Sequence, residues 1–476
     1  MLTLSALIAL TTNTEYEKFF AIDGGPEYMY YFAKLFVGTP PMEQSAIIDT
    51  GSDTLAFPCD HCKPGDCGSH QDPRFHSKDS KSFQFDIDCS LRIPYHNHNV
   101  CQFIKSYAEG SSLLGFLADD YIKFKNSQRI NDIKLSQLNS RLKKDVRLKA
   151  EFGCTTKETG LFKTQYADGI LGLDQTSTFI QSVEAKNSGT HEKVLSFGLC
   201  FHNTGGIMSI DLRDKHGDNE KHHILNRPSS RLDHPLVLDW DRSSNYYEVR
   251  ATHFSLGSKG STYSEIKDVS PINIMIDSGT TFSHFPDRYI NRILEELNSY
   301  CRGEVSRCGR IPNAVFNQDS CLELKQPDAH YKNEHELLAT FPEIRIHFGS
   351  PETTYILYPK NYFYKEFEDD EERIHKQIVR LCFCLKGEEE GRIILGAFSM
   401  IDNYFYFDRI TKQLKIYKEN CYLRAMGLLK RERILSAKMP LIAQRGYFKI
   451  AMGTGVILLA LYALGRFKKG SEQAEP

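Results

Sequence analysis

Short apolar or alternating segments, broken by Gly, Pro and Asn, fill the chain between about residues 28 and 420. Segments of this kind at close spacing are typical of the strands of an all-β protein. One segment, Asp287–Tyr300, is predicted to be helical because its apolar residues recur at i, i+3, i+4 and i+7, starting at Ile290. The clearest predicted strands are Tyr31–Val37, Ala46–Ile48, Phe116–Phe124, Tyr246–Leu256, Ile272–Ile276, Ile344–Phe348 and Tyr404–Phe407.

Two short patterns occur once in each half of the chain. Ile47–Ser52 (Ile-Ile-Asp-Thr-Gly-Ser) returns as Met275–Thr280 (Met-Ile-Asp-Ser-Gly-Thr). Each copy is followed by an Ile-Leu-Gly sequence, at Ile170–Gly172 and at Ile394–Gly396. Two similar halves in this order predict a duplicated architecture with two related lobes.

Both ends of the chain contain apolar segments. Leu2–Leu10 predicts a secretory signal peptide within residues 1–20. Ile450–Gly465 carries no charge, and with its flanks, Tyr447–Phe467, it is long enough to cross a bilayer core of about 30 Å. We therefore expect a juxtamembrane segment at 426–446, a membrane helix at 447–467 and a cytosolic tail at 468–476. The alternative for the apolar run is a buried core helix.

The composition indicates a secretory compartment and argues against nucleic acid as a partner. Lys and Arg total 59 and Asp and Glu total 61, a formal net charge of −2, which argues against a dedicated nucleic-acid binder. The 13 cysteines are many for a cytosolic enzyme and indicate disulfides in a secretory compartment. Because their number is odd, at least one thiol is unpaired or pairs with another chain.

Ten of the 13 cysteines form two groups along the chain. In the first group, Cys59, Cys62 and Cys67 together with His70 also have the spacing of a zinc site, but an oxidising lumen favours disulfides. The second group is predicted to form structural bridges of unassigned pairing. The first group is Cys59, Cys62, Cys67, Cys89 and Cys101, and the second is Cys301, Cys308, Cys321, Cys382 and Cys384.

The repeated Asp-containing pattern carries candidate chemistry. A strand would deliver Asp49, and its counterpart Asp277, to a turn where the following glycine lets backbone amides approach the carboxylate. If the two carboxyl groups meet within about 3 Å, charge repulsion keeps one proton on the pair, which then supplies an acid and a base. The alternative is that both residues merely cap turns. The supporting residues are Thr50, Gly51, Ser52, Ser278, Gly279 and Thr280. The hydroxyl groups of Ser52 and Thr280 are expected to bond the carboxylates, and those of Thr50 and Ser278 to join the two loops.

The chain resembles the pepsin-like (A1) aspartic proteases from about Tyr28 to Cys421. The resemblance rests on the two Asp motifs and on Tyr31–Pro41, Tyr107–Ser111, Ile394–Gly396 and Tyr404–Asp408. It implies an all-β, bilobal fold with few short helices, with lobes at 28–205 and 206–425. It also implies that Asp49 and Asp277 are catalytic, that Tyr107 and Gly110 belong to a flap over an extended peptide, and that neither metal nor cofactor is needed.

Other features narrow the resemblance. Ala56 stands where pepsin-like enzymes usually have Trp, and the cysteine-rich insert at 59–101 resembles that of nepenthesin-like proteases. With the predicted anchor, these features resemble the export-motif proteases of apicomplexan parasites, the plasmepsin V group. That resemblance implies cleavage of secreted effectors after Leu in Arg-x-Leu motifs by an enzyme of the endoplasmic reticulum membrane, or of the Golgi, with a luminal catalytic body. The alternatives are a broad-specificity membrane-anchored protease of acidic vesicles or the cell surface, and a non-catalytic peptide-binding protein.

Glu109 is the candidate determinant of specificity. It lies two residues from Tyr107, so its carboxylate is expected to face the cleft and to favour Arg, whose fork binds carboxylates in bidentate fashion. The resemblance implies the same role, and a supporting role for Gln165. The alternative is a solvated flap residue. Since only about 27 residues precede the first lobe strand, we also expect that activity needs no removal of a long prosegment.

Overall fold

The computed structural model describes most of the chain between residues 18 and 425. The described residues are 18–86, 100–124, 147–188, 192–214, 235–260, 262–266, 271–302, 308–309, 315–325, 331–349, 353–366 and 378–425. They group into one compact unit. Cys89, residues 1–17 of the predicted signal peptide, and the predicted segments 426–446, 447–467 and 468–476 lie outside them.

Strands dominate the described residues and helices are few and short. The strands are β1 (Lys18–Gly25), β2 (Tyr30–Val37), β3 (Met42–Asp49), β4 (Leu55–Pro58), β5 (Gln84–Phe85), β6 (Gln102–Ser106), β7 (Ser112–Phe124), β8 (Leu148–Glu158), β9 (Gly169–Gly172), β10 (Lys193–His202), β11 (Gly205–Asp214), β12 (Leu236–Asp239), β13 (Glu248–Ala251), β14 (His253–Gly257), β15 (Ser264–Ile266), β16 (Ile272–Asp277), β17 (Ser283–Pro286), β18 (Cys321–Lys325), β19 (Glu343–His347), β20 (Thr354–Leu357), β21 (Phe363–Glu366), β22 (Ile378–Phe383), β23 (Leu385–Glu388), β24 (Ile393–Gly396), β25 (Asn403–Asp408) and β26 (Gln413–Lys418). The helices are α1 (Thr178–Lys186), α2 (Asp287–Cys301), α3 (Glu334–Leu338) and α4 (Pro359–Tyr362), with 3₁₀ turns at Ser77–Asp79, Gly160–Lys163 and Ala397–Met400.

The predicted strands and the predicted helix are confirmed with small shifts at their ends. Helix α2 buries the apolar face that the spacing indicates, with Ile290, Ile293 and Leu297 at most 1% exposed. The exception is Tyr246–Leu256, predicted as one strand. The chain changes sheets at Thr252, because β13 pairs with β16 whereas β14 pairs with β19.

Four sheets organise the described residues. The largest runs in the order β12-β26-β25-β10-β11-β1-β2-β3-β9-β4-β8-β7-β5, with β6 on β7. The others are β13-β16-β24-β17-β23, β15-β14-β19-β20 and β18-β22-β21. The predicted lobe boundary at 205/206 falls after the first residue of β11, a strand that pairs with β10 from Lys193↔Asp214 to His202↔Gly205. Strand β1 lies ahead of the predicted first lobe and includes residues 18–20 of the predicted signal segment.

The duplicated sequence pattern has a structural counterpart. Each Asp-bearing strand pairs in parallel with the strand that carries Ile-Leu-Gly, so that Asp49 lies opposite Gly172 and Asp277 opposite Gly396. The strand after each Asp motif, β4 or β17, then pairs antiparallel with the same Ile-Leu-Gly strand. The two halves therefore build the same local arrangement around their aspartates.

Disulfides account for most of the described cysteines, as expected for an oxidising compartment. The bridges are Cys59–Cys154, Cys62–Cys67, Cys200–Cys421, Cys301–Cys308 and Cys321–Cys382, and Cys101 is also disulfide-bonded. The zinc alternative is wrong because the three sulfurs that it requires are already bonded in disulfides.

One cysteine prediction is wrong. Cys384 is buried and free, not bridged. Its Sγ donates to the backbone oxygen of Asn361, and burial raises its pKa well above the ordinary range, which keeps the thiol neutral. Among the cysteines of the described residues, it is the one that forms no disulfide.

Within the described residues, no helix has both the length and the apolar character needed to span a bilayer. The longest of the helices named above, α2, is an amphipathic helix with one face on the core.

Candidate active site

Strands β3 and β16 end at Asp49 and Asp277, which are only 5% and 7% exposed. A β-carbon on the glycine opposite each Asp would collide with the chain that crosses above it. At Gly172 it would lie 2.7 Å from the Asp53 carbonyl carbon, and at Gly396 it would lie 2.6 Å from that of Phe282. The Ile-Leu-Gly repeats are thus explained by the close passage of the loops that follow each Asp.

Thr50 and Ser278 join the two Asp loops by reciprocal hydrogen bonds. Thr50 Oγ1 donates to the Ile276 carbonyl (2.8 Å) and accepts from the Ser278 amide (3.0 Å). Ser278 Oγ donates to the Ile48 carbonyl (2.7 Å) and accepts from the Thr50 amide (3.1 Å). All four bonds are buried, so the loops are held in fixed register by groups that would be costly to leave unpaired. The structure thus brings Thr50 and Ser278 together.

The two carboxylates face each other across glycines 51 and 279. A β-carbon on Gly51 would lie 2.6 Å from Asp277 Cγ, and one on Gly279 would lie 2.5 Å from Asp49 Cγ. Only a residue without a side chain lets each loop approach the opposite carboxyl group so closely. Burial, and then the charge of Asp277, raise the pKa of Asp49 well above its ordinary value. The pair is thus arranged to retain a proton.

Hydrogen-bond donors are distributed unequally over the pair. Asp277 accepts from the amides of Gly279 (2.9 Å) and Thr280 (3.3 Å), and from Thr280 Oγ1 (2.6 Å). Asp49 accepts from the Gly51 amide (2.8 Å). Ser52 Oγ, the counterpart of Thr280, is buried without a hydrogen bond of standard geometry, although its proximity lowers the pKa of Asp49. Asp277 thus accepts three hydrogen bonds and Asp49 one, and the raised pKa of Asp49 makes Asp49 the member suited to carry the proton.

A hairpin of β6 and β7 places Tyr107 near this pair. Its Oη is buried and has no hydrogen-bond partner of standard geometry, and Asp49 is among the charges that act on it. Its ring packs on Phe162, with centroids 4.9 Å apart. The buried Ala56 belongs to the same apolar cluster and has no polar side-chain atom to offer. Phe162 is therefore a flap-supporting residue that sequence reasoning missed, since nothing in its local pattern distinguishes it from core.

Glu109 and Gly110 lie at the turn of this hairpin. Both are exposed, and the Gly110 amide donates to the Tyr107 carbonyl to close the turn. Gly110 has φ +92°, a conformation that residues with a side chain rarely adopt. The structure thus leaves the Glu109 carboxylate free of the core, at the tip of the flap.

Gln165 follows the Phe162 turn and has a half-buried side chain. Its Nε2 donates to the Ala167 carbonyl (3.1 Å), so its amide group is bound within its own loop. Tyr30 Oη accepts from the amides of Tyr166 and Ala167 and fixes the same loop on β2. The structure does not bring Gln165 into hydrogen-bond contact with Glu109.

His70 supports the segment that carries Phe162 and Gln165. Its ring nitrogens bond Glu158 Oε2 (3.0 Å) and the Gln165 carbonyl (3.0 Å), and its side chain is 3% exposed. Burial opposes its charge, but the bonds to Glu158 and to the Gln165 carbonyl outweigh burial and raise its pKa. In its charged form, His70 donates to both partners and so holds in place the segment that carries Phe162 and Gln165.

We expect His70→Gln to make stability less dependent on pH. A histidine with a raised pKa in the folded state contributes stability that is complete below its ordinary pKa of about 6.5 and is lost as pH rises through the folded value. Thermal unfolding should show the variant less stable by about 1.5 kcal/mol at pH 5.5 and closer to the wild type at pH 8. The exposed His335→Gln is the control, and a gap of constant size across this range would contradict the role assigned to His70.

Two family models and several curated proteins match this chain. The family model described as xylanase inhibitor N-terminal matches residues 31–210, and that described as xylanase inhibitor C-terminal matches residues 257–418. Plasmepsin V of Plasmodium falciparum (isolate 3D7) is 26% identical over 60% of this chain and 52% of its own. Aspartic protease 5 of Toxoplasma gondii is 26% identical over 54% of this chain and 29% of its own. Aspartic proteinase nepenthesin-2 of Nepenthes gracilis is 25% identical over 56% of this chain and 54% of its own. The chain thus spans about half, or less, of these curated relatives.

Proposed function

Because the chain belongs to the pepsin-like aspartic protease family, we propose that it is an aspartic-type endopeptidase. In this proposal it cleaves secreted proteins after Leu in Arg-x-Leu motifs, using water activated by Asp49 and Asp277. The catalytic part of this proposal rests on the two buried Asp loops, which Thr50 and Ser278 join. The proposed substrate rests on the similarity of this chain to plasmepsin V and aspartic protease 5.

The proposed mechanism assigns the proton to Asp49 and the charge to Asp277. Asp277 takes a proton from water as the water oxygen attacks the carbonyl carbon, while Asp49 donates its proton to the carbonyl oxygen. The tetrahedral diol then collapses: its hydroxyl proton returns to Asp49, the proton on Asp277 passes to the amine, and the carbon–nitrogen bond breaks. The pair ends with one proton, as it began. Its apparent pKa values belong to both residues together.

The flap supplies the proposed specificity. An extended peptide beneath the β6–β7 hairpin can pair its backbone with strand-like edges. The exposed Glu109 carboxylate is then available to the Arg two positions before the cleaved bond. Gln165 is proposed as a second contact, because its Nε2 bond fixes the amide and leaves Oε1 as an acceptor for the guanidinium.

The proposed location rests on the sequence alone. The apolar segment 447–467 is proposed as a single membrane anchor that holds the catalytic body in the lumen of the endoplasmic reticulum or Golgi. The disulfides are consistent with an oxidising lumen. Protease protection of the full chain in sealed microsomes tests this proposal: a protected body supports it, and digestion of the whole chain overturns it.

Glu109→Gln should selectively weaken cleavage of peptides that contain Arg. Removing the charge while keeping the size loses a charge-assisted contact of about 1.5 kcal/mol, roughly tenfold in kcat/KM. The measurement compares peptides with Arg, Lys or norleucine two positions before the scissile Leu bond. We expect a large loss for Arg, a smaller loss for Lys and none for norleucine.

Glu323→Gln is the matched control for this experiment, since Glu323 is also an exposed Glu and lies on β18. A similar loss on all three peptides would show that Glu109 does not read the basic residue. A wild type that cuts generic apolar peptides as well as Arg-x-Leu peptides would instead favour the broad-specificity protease.

A further inference from the structure

The hydroxyl group of the flap tyrosine lies close enough to Ser52 for that side chain to lower its pKa, but the contact does not have standard hydrogen-bond geometry. Tyr107 Oη is buried without a hydrogen bond of standard geometry, and the buried neighbour Ala56 has only a methyl group. The ring packs on Phe162 through an apolar contact, which fixes the ring's orientation less strictly than a hydrogen bond would. Contacts elsewhere in the hairpin are therefore expected to contribute to the position of the flap over Asp49.

The β7 arm of the hairpin is bound to residues 159–162, the segment that includes Phe162. The Ser112 amide donates to Thr159 Oγ1 (2.8 Å), and the Leu161 amide donates to Ser111 Oγ (2.9 Å). The Thr159 amide also donates to the Ser112 carbonyl (3.0 Å). These bonds fix the β7 arm of the flap to residues 159–162, but they do not connect it to the Asp loops.

The β6 arm makes such a connection. Lys105, two residues before Tyr107, places its Nζ 2.6 Å from Asp53 Oδ2, and Asp53 directly follows Ser52 in the first Asp loop. Asp53 is itself fixed: its Oδ1 accepts from Thr54 Oγ1 (2.8 Å) and its carbonyl accepts from the Thr178 amide (2.7 Å). The Lys105 and Asp53 side chains are 34% and 26% exposed, so solvent can compete for the contact.

We propose that the Lys105–Asp53 ion pair positions the flap over the catalytic pair, forming when the flap closes and breaking when it opens. Both partners are positioning residues, because neither is argued to touch the substrate. A partly exposed ion pair suits this role: it is strong enough to bias the closed hairpin and weak enough to exchange with water on each turnover. This proposal rests on the proposed peptidase function.

A double-mutant cycle with two readouts tests it. Lys105→Met and Asp53→Asn should each lower kcat/KM by roughly three- to fivefold, the ceiling for a pair of this exposure, and the double variant should lose no more than either alone. The exchanged pair Lys105→Asp with Asp53→Lys should recover part of the loss. Hydrogen exchange of the 104–110 amides should be faster in each single variant and closer to wild type in the exchanged pair.

The matched control is Arg380–Glu366, an ion pair of 2.6 Å and similar exposure between β22 and β21. Arg380→Met should change neither kcat/KM nor flap exchange. Additive losses in the cycle, or single variants with lower melting temperatures but wild-type kcat/KM and flap exchange, would overturn the proposal. Because hydrogen exchange needs no substrate, it tests the ion pair even if the wild type cleaves none of the peptides, an outcome that would refute only the proposed function.

Discussion

Asp49→Asn is expected to abolish peptide cleavage and, at neutral pH, to make the fold more stable than the wild type. The amide keeps the shape and the acceptor for the Gly51 amide, but it has no acidic proton to give to the carbonyl oxygen. The expected loss is about 10⁴-fold in kcat, the upper end for one general acid–base group. Peptide hydrolysis followed by mass spectrometry measures it.

The stability gain follows from the raised pKa of Asp49. Burial and the charge of Asp277 make the folded state hold the proton more tightly than the unfolded chain does. That favourable difference is complete below the ordinary Asp pKa of about 3.9 and is lost as pH rises through the folded value. Asparagine carries no charge at any of these pH values, so the variant should melt higher than the wild type at pH 7 and not at pH 3.5.

The exposed Asp319→Asn serves as the control for both readouts, since the Asp319 side chain is 92% exposed. It should leave cleavage and the neutral-pH melting temperature unchanged. Cleavage by Asp49→Asn at more than a few per cent of the wild-type rate, or a lower melting temperature at pH 7, would contradict the arrangement assigned to the pair.

Gly279→Ala should disable the enzyme by crowding, without removing a functional group. Its β-carbon would lie 2.5 Å from Asp49 Cγ, too close for any real contact, so either the carboxyl group or the loop must move. Movement of about 1 Å costs on the order of 10²-fold in rate, and overpacking costs about 1–3 kcal/mol of stability. Gly51→Ala should act in the same way, through Asp277.

Kinetics and thermal melts of Gly260→Ala separate crowding from the simple loss of a glycine. Gly260 has φ +88° but nothing within 4 Å of the place a β-carbon would take. This variant should lose some stability through backbone strain and keep its activity. If Gly279→Ala behaves like Gly260→Ala, the two Asp loops are not as closely opposed as described.

The features that the sequence predicted correctly are those fixed by local patterns. Alternation located β2, β3 and β16, helical spacing located α2, and the repeated motif located the loops of Asp49 and Asp277. The pairing of Asp49 with Gly172 and of Asp277 with Gly396 explains why the two motifs recur together.

Contacts between residues far apart in the chain could not be predicted from local sequence patterns. The partnership of Cys59 with Cys154, and the isolation of Cys384, depend on which strands become neighbours. Phe162 was missed for the same reason, because its contact with Tyr107 joins a 3₁₀ turn to a hairpin far along the chain. The asymmetry between Ser52 and Thr280 was hidden as well, since both follow their Asp at the same spacing and only Thr280 makes a standard bond.

Cleavage of an Arg-x-Leu peptide by wild type and by Asp277→Asn, from pH 4 to pH 8, tests the central claim most directly. The account predicts a single new carboxyl terminus at Leu, formed by the wild type with a bell-shaped pH dependence, because the pair works only with one proton. It predicts no product from Asp277→Asn at any pH. Product formation by Asp277→Asn at a rate comparable to the wild type would contradict the account.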